Sequence, residues 1–497
     1  MSSTQQSQQP LAAGVWQRPL RGLTLGLVLV VVAGAFESLA VATVMPAALR
    51  DLGDMELYGW AFSGFTLSNL IGISVGGNEG ARLGAVRLLL LGTAVFCGGL
   101  IVASFAPAMI VLVLGRLLQG FGSGLLYTVA YAAIPRAYHS ELRPRMLATL
   151  STAWIIPGLV GPGLAGLAAT ALGWRSVFAG LLPMPLIAAA LVTPALRKFG
   201  QPRAAEANAT EPSEEHAASS SSSSDASSSG AIPGKTARGG GSASSQRAQP
   251  STLLHAVTLS FGVGCLLAGL GQQRPLLGVL LTLAGAALGG RALARLLPEG
   301  TLRARPGQPA AIATMSLITF AFFGAEAFVP LALSHVRHVP IAWSGLPLTA
   351  AAITWTSGAW LPVRVAGRVQ RKTLVLGGLA VLALGLLGTA LILLPNIPPE
   401  SIVLSWSIAG LGMGVAFTTT SAAVLDGVDG HASDKASAAL QLSQALGASL
   451  ATGIGGAIVA TSIAGDPPRL GIALVDALML LFVAVSAFTA RGITGRA

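Results

Sequence analysis

Residues 23–48 read LTLGLVLVVVAGAFESLAVATVMPAA, an apolar run of helix length with one carboxylate, Glu37, near its middle. A helix rises 1.5 Å per residue, so about 20 such residues cross the roughly 30 Å hydrocarbon layer of a bilayer. The run continues past Glu37 to Pro46 without a small-residue cleavage site of the A-x-A kind, which reads as a retained transmembrane helix and not as a signal peptide.

Working outward, runs of the same kind recur at 57–78, 85–106, 108–134, 146–172 and 175–196. Two more follow at 252–271 and 275–297, and then 309–335, 340–363, 373–395, 400–425, 436–462 and 469–490. The expected fold class is therefore an all-α integral membrane protein with 14 transmembrane helices, six plus two plus six. The expected segments are a tail at 1–22, a six-helix bundle at 23–198, a linker at 199–250, two additional helices at 251–298, a second six-helix bundle at 299–490 and a tail at 491–497. The linker carries an unbroken serine run from Ser219 to Ser224 and the glycines Gly239 to Gly241, a composition that cannot bury a core and predicts disorder.

Composition agrees: 53% of the 497 residues are hydrophobic and 10% charged, against about one quarter charged in soluble domains. The net charge of +11 comes from basic residues scattered through short loops, which argues for membrane topology and against a nucleic-acid partner. Arg18, Arg21, Arg82, Arg87, Arg136, Arg143, Arg145, Arg197, Lys198, Arg303, Arg305, Arg364, Arg368, Arg371 and Lys372 all fall on one side, which the positive-inside rule makes cytoplasmic together with both termini. Cys97 and Cys265 lie inside apolar runs and suggest neither a disulfide framework nor a zinc site. The six histidines are scattered, and no nucleophile elbow or P-loop sits on a suitable turn, so the sequence points away from an enzyme, a metal and a cofactor.

An acid inside a membrane span needs a reason, because a charge there costs several kcal/mol. Glu37 in the first span and Glu326 in the ninth open the two six-helix sets, so a parallel repeat would put them at related positions facing a central cavity. A carboxyl shielded from water binds a proton more readily, so each is a candidate for proton coupling and for holding a cationic substrate. The plainer alternative is a neutral acid hydrogen-bonded to the next helix. Arg116 in the fourth span keeps its charge, so it either holds a nearby acid or carbonyl and joins the coupling, or snorkels to the interface. Trp154 and Trp355 are candidates to line a binding cavity, although interface anchoring is the commoner role of tryptophan. Gln441 and Gln444, one turn apart in the thirteenth span, offer hydrogen bonds to a substrate or to a neighbouring helix. The stretch from Pro157 to Gly166, with Pro162 and glycines at 158, 161 and 163, should bend the fifth span and allow close helix approach.

These residues resemble the major facilitator superfamily, and in particular its fourteen-helix drug:proton antiporter branch, over nearly all of the chain outside the linker. Glu37 to Pro46 is similar to the first-helix motif, Arg116 to Gly120 to the fourth-helix R-x-x-x-G pattern, and Gly161, Pro162 and Gly166 to the fifth-helix antiporter motif. Gly77, Arg82 and Gly84 match the family's G-x-x-x-D-R-x-G loop, but Ala81 stands at its aspartate, with Glu79 nearby and out of register. The resemblance implies two bundles that rock about a central site by alternating access. It also implies multidrug efflux of small amphipathic or cationic compounds in exchange for protons, by a monomer among the lipids of a bacterial inner membrane, an activity associated with antibiotic resistance. Export of a lipid or siderophore is the alternative within the fold. A non-transporting receptor or scaffold is another, and the retention of Glu37, Arg116 and Glu326 argues against it.

Overall fold

The computed structural model describes residues 14–17, 20–138, 142–199, 250–272, 274–365, 367–425, 431–461 and 468–495. The predicted disordered linker thus lies, but for its first and last residues, outside the described residues. In chain order the helices are α1 (Arg21–Leu52), α2 (Tyr58–Leu83), α3 (Ala85–Ser104), α4 (Met109–Ala137), α5 (Arg143–Thr152), α6 (Ile155–Leu172), α7 (Arg175–Leu181), α8 (Pro183–Phe199), α9 (Pro250–Leu270) and α10 (Pro275–Leu296). Then come α11 (Gln308–Glu326), α12 (Val329–Leu331), α13 (Ile341–Ser344), α14 (Leu346–Arg364), α15 (Arg371–Leu391), α16 (Ser401–Leu425), α17 (His431–Thr461) and α18 (Arg469–Ala490).

Four of the spans predicted as single helices are broken, and proline explains each break. The predicted 146–172 is α5 and α6, 175–196 is α7 and α8, 309–335 is α11, α12 and a π-helical turn over Ala332–Val336, and 340–363 is α13 and α14. Pro157, Pro183, Pro330 and Pro347 follow these breaks closely, and each removes the N–H that would have reached the carbonyl four residues back. At the second break the freed Ala179 carbonyl is recovered by the Leu182 N–H at 3.1 Å. Hydropathy sees only the continuous apolar run.

The two outer sets of helices repeat one packing plan. In the first set α1 packs on α6 and α8, α2 on α4, α3 on α4 and α8; in the second α11 packs on α17 and α18, α14 on α16, α15 on α16 and α18. The seams between the sets repeat it too, since α2 meets α17 and α6 meets α14. Of these pairs, α2 and α14 are the second spans of their sets, α6 and α17 the fifth, so one operation relates both halves.

The α9–α10 pair is a tight hairpin. A Cβ on Gly262 would lie 2.5 Å from the backbone nitrogen of Gly289, an approach that only small residues permit. It docks over the seam of α2 and α17, where Leu259, Val263 and Leu267 of α9 pack with Leu67, Leu70, Leu442 and Leu446. Ser260 also donates to the Leu67 carbonyl at 3.3 Å.

Among the described residues, twelve stretches are long and apolar enough to cross a membrane. The α2 helix and the α13–α14 stretch, counted as spans from the sequence, are not among them. Both line the seams between the sets, and α2 spends its length on Gly, Ser and Asn in place of leucine and valine. Arg50 at the end of α1 bonds to Ser334, so the α1–α2 and α11–α13 connections share one face, and the Gly307 N–H donates to the Gly492 carbonyl at 2.8 Å, which brings the start of α11 to the end of α18.

Candidate functional site

Four helices of the first set converge on one charged group. Glu37 sits midway along α1 and Arg116 in the third turn of α4, with side chains 0% and 3% exposed. A guanidinium cannot shed its charge, so in this dry setting every donor needs a partner. Nε of Arg116 donates to the Ala61 carbonyl of α2 at 2.9 Å, and Nη1 donates to Oε1 of Gln119 at 2.6 Å and stands against Oε1 of Glu37 as an ion pair. Gln119 passes the chain on, its Nε2 donating to the Gly99 carbonyl of α3 at 3.0 Å. The guanidinium carbon lies 4.3 Å from the centroid of the Phe65 ring, a cation–π contact on another side. Neither carboxylate oxygen of Glu37 takes a hydrogen bond of regular geometry, so its charge is balanced by Arg116 and by little else.

The sequence thus named both members, but the expectation that Glu37 faces a central cavity is not met. Its carboxyl lies inside the first set, closed off from a substrate in this conformation, because Arg116 is the available counter-charge and stands on α4. Close packing of α3 on α4 makes the network possible: a Cβ on Gly99 would lie 2.6 Å from both the Gln119 nitrogen and the Gly115 carbonyl.

Glu326 lies apart from this group. It is the last residue of α11, half-buried, at the turn of Ala327 and Phe328 that precedes Pro330. The hydroxyl of Tyr58, at the start of α2, donates to the Ala327 carbonyl at 3.0 Å, and its ring lies 5.7 Å from that of Phe328. The break in the second set is therefore held by a side chain of the first. Trp355 is half-buried in an aromatic cluster with Phe322, Phe323 and Phe417 at centroid distances of 5.1, 6.2 and 5.3 Å. Trp154, at the α5–α6 break, is 46% exposed. A Cβ on Gly158 would lie 2.7 Å from Cβ of Ala352, a register that sets Trp154 and Trp355 each about one turn from the same α6–α14 contact. Gln444 is half-buried and Gln441 exposed, and neither makes a hydrogen bond among the described residues.

The predicted fifth-helix motif lies on the seam between the sets. A Cβ on Gly345 would lie 2.8 Å from Cγ2 of Thr43 on α1 and 2.9 Å from Cβ of Pro162, and one on Gly166 would lie 3.0 Å from both Cα of Ala342 and the Ile341 carbonyl. Gly161 turns toward Phe36 and Leu39 of α1. Gly77 and Arg82 are exposed near the end of α2, and Arg82 pairs with Glu79 at 3.6 Å. Gly84, with φ of 77°, makes the left-handed link from α2 to α3 that a side chain would strain.

Three further residues, two of them at this interface, carry no motif and were not singled out from the sequence. Arg50, in the last turn of α1, donates through Nη2 to the Ser334 carbonyl in the π-helical turn, beside a cavity of about 380 Å³ bordered by His335 and His338. Tyr58 supplies the second hydrogen bond between the sets. Asp476, in α18, is 3% exposed and its Oδ2 has no hydrogen-bond partner. It obeys the same rule that flagged Glu37, an acid inside an apolar run, and its signal was plain in the sequence.

A family model described as Major Facilitator Superfamily matches residues 25–452. A probable multidrug-efflux transporter of Mycobacterium tuberculosis is 26% identical, covering 97% of this chain and 95% of that protein. A multidrug resistance protein B homolog of the same organism is 25% identical over 83% of this chain and 72% of its own length. Among solved structures, a peptide transporter crystallised with sulfate superposes with a TM-score of 0.61 at 14% identity, covering 95% of this chain and 96% of that one, which speaks for the fold alone.

Proposed function

We propose that this chain, which belongs to the Major Facilitator Superfamily and is a multi-span membrane transporter by that membership, is a proton-coupled antiporter. It exports small amphipathic or cationic compounds across a bacterial plasma membrane by alternating access. The observation that carries the reading is the buried Glu37–Arg116 ion pair on the helix that also closes the seam between the two sets.

The topology goes with it. Fourteen passes, counting α2 and α13–α14, put both termini on one face together with Arg21, Arg82, Arg87, Arg143, Arg145, Arg197, Lys198, Arg303, Arg305, Arg364, Arg368, Arg371 and Lys372. The other face has Asp51, Asp54, Glu56 and Glu400 among fewer cations, so the termini face is cytoplasmic. The hydrogen bonds from Arg50 and Tyr58 and the approaches at Gly166 and Gly345 hold the sets together on the outer side, a closure suited to a site that loads from the cytoplasm. The protein works as a monomer in lipid, with the substrate and protons as its partners.

Coupling follows from α1 being one rod. It carries Glu37 at its middle, Thr43 against Gly345 and Arg50 against Ser334. When Glu37 takes a proton, the Coulomb hold on Arg116 is lost, while Arg116 keeps its bonds to Ala61 and Gln119 within the α2–α4 pair. Substrate loaded from the cytoplasm between Trp154, Trp355, Glu326, Gln441 and Gln444 leaves when the outer closure opens, and Glu37 takes its proton from the outside at that stage. The α1 helix, freed from α4, then swings its far end back to re-form the closure, and loss of the proton to the cytoplasm restores the ion pair.

The test is transport by the purified chain in liposomes, with an imposed pH gradient and ethidium as the cationic probe. Gradient-dependent accumulation of the dye is expected; equal dye distribution with and without the gradient overturns the antiport reading.

A further inference from the structure

The first set spends its buried acid on Arg116, but the second set buries an acid with no such partner. Asp476 lies on the inward side of α18, between the exposed Leu474 and Ala477, about 10 Å along the helix from Arg469 at its outer end. Its side chain is closed from solvent, and among the described residues Oδ2 meets neither a hydrogen-bond donor nor a cation.

The register of α18 against α11 places it. Phe482 stacks on Phe320 at 3.8 Å between centroids, a Cβ on Gly324 would lie 2.5 Å from Sδ of Met479, and one on Gly455 would meet Phe328 at 2.6 Å and Val475 at 3.5 Å. Stepping along these antiparallel helices brings Asp476 level with Ala327, the turn where α11 breaks and where Tyr58 of the first set takes hold.

Among the described residues, the elements packed against α18 hold no cation to balance a carboxylate at that level. On α11 the titratable group is Glu326, another acid, and on the π-helical turn it is His335, whose Nδ1 lies 3.1 Å from Oγ of Ser334. On α15 the charged residues are Arg371 and Lys372, and on α17 they are His431, Asp434 and Lys435, all in the opening turns of those helices at the other face. An isolated carboxylate in such surroundings costs several kcal/mol, so Asp476 rests as the neutral acid.

We propose that Asp476 is a second proton-binding site, seated in the second helix set at the break of α11, so that each half of the chain carries an exchangeable proton. The proposal deepens the antiport reading above and rests on it for its role in transport. The helix of α11 is interrupted between Glu326 and Pro330, and movement of that turn is what would admit water and take the proton away. A permanently protonated packing residue would have the same resting geometry but would never release its proton.

The test is a potentiometric titration of the purified full-length chain in detergent, from mildly acidic to mildly alkaline pH, for wild type, Asp476→Asn and Asp476→Glu. Wild type and Asp476→Glu are expected to release about one proton more than Asp476→Asn; superimposable curves overturn the site. Wild type gives a second reading without any variant, since an apolar carbodiimide modifies carboxyls in their protonated form. The peptide holding Asp476 should be modified at the acidic end and spared at the alkaline end, and equal or zero yield at both contradicts the proposal.

In liposomes clamped at zero membrane potential, each coupled proton contributes about tenfold accumulation per pH unit. Asp476→Asn should therefore lower the steady ethidium ratio about tenfold for a gradient of about one unit. Absence of accumulation in wild type would sink antiport while the titration still decides the site.

Discussion

Arg116 of α4 and Glu37 of α1 form an ion pair whose side chains are 3% and 0% exposed, the most deeply buried of the ion pairs among the described residues. Two others, Arg82 with Glu79 and Arg175 with Asp51, stand in contact with water. This contrast sets which substitutions should matter.

Removing one member of a buried pair leaves an uncompensated charge, at a cost of about 3–5 kcal/mol. Arg116→Ala is expected to lower the melting temperature in detergent sharply, and Arg116→Lys to rescue it little, because lysine cannot reach the Ala61 carbonyl and Gln119 in the same fork. Glu37→Gln leaves Arg116 as the uncompensated charge, held by the Ala61 carbonyl and Gln119, so it too should lower the melting temperature. The double variant Glu37→Gln/Arg116→Ala should recover part of the loss, and strict additivity of the two would show that they do not interact.

Arg50 donates to the Ser334 carbonyl across the seam, a charged hydrogen bond worth about 1.5–3 kcal/mol. Arg50→Ala should shift the population toward an open outer face by about tenfold or more. In a background with Cys97 and Cys265 replaced, a reporter Ser344→Cys, buried in the closed state, should react faster with a membrane-impermeant maleimide when Arg50 is absent. Unchanged reaction rates would remove Arg50 from the closure.

At Gly166 even a methyl group would sit 3.0 Å from the Ala342 backbone, so Gly166→Val should wedge the seam open. Overpacking of this kind costs about 1–3 kcal/mol, enough to change the balance of conformers about tenfold. The expected signature is loss of net transport with the maleimide reactivity of Ser344→Cys raised. Gly163, where a Cβ meets nothing within 4 Å, is the control and should accept alanine without effect.

The Arg82–Glu79 pair is exposed at the end of α2, with the arginine side chain 79% accessible, and pairs of this sort contribute little to stability. Glu79→Gln should leave the melting temperature unchanged. If transport also survives, Glu79 does not stand in for the family's loop aspartate; a transport loss at unchanged stability would show that it does.

The helical membrane fold was legible because apolar runs of bilayer length are a one-dimensional signal, and the need of Arg116 for a buried partner followed from the cost of burying it alone, though the sequence did not say that Glu37 is that partner. The helix breaks at Ala327 and Gly345 were not read, since a run such as 309–335 stays apolar through Pro330 and hydropathy is blind to a missing N–H. The placement of Glu37 went astray for a related reason: repeat symmetry fixes the level of a residue along its helix, but its direction is decided by where the counter-charge stands. Asp476 was legible and passed over, an acid in a leucine-rich run with no motif around it. Arg50 and Tyr58 could not have been found, because their partners are backbone carbonyls freed by local geometry in the other half of the chain.

The most direct test separates movement of substrate from its coupling to protons. Wild type and Glu37→Gln, reconstituted in liposomes, would be compared for ethidium accumulation against a pH gradient and for exchange of labelled with unlabelled ethidium at equal pH. Proton carriage by Glu37 predicts that the variant keeps exchange and loses gradient-driven accumulation; accumulation by Glu37→Gln equal to that of wild type would contradict it.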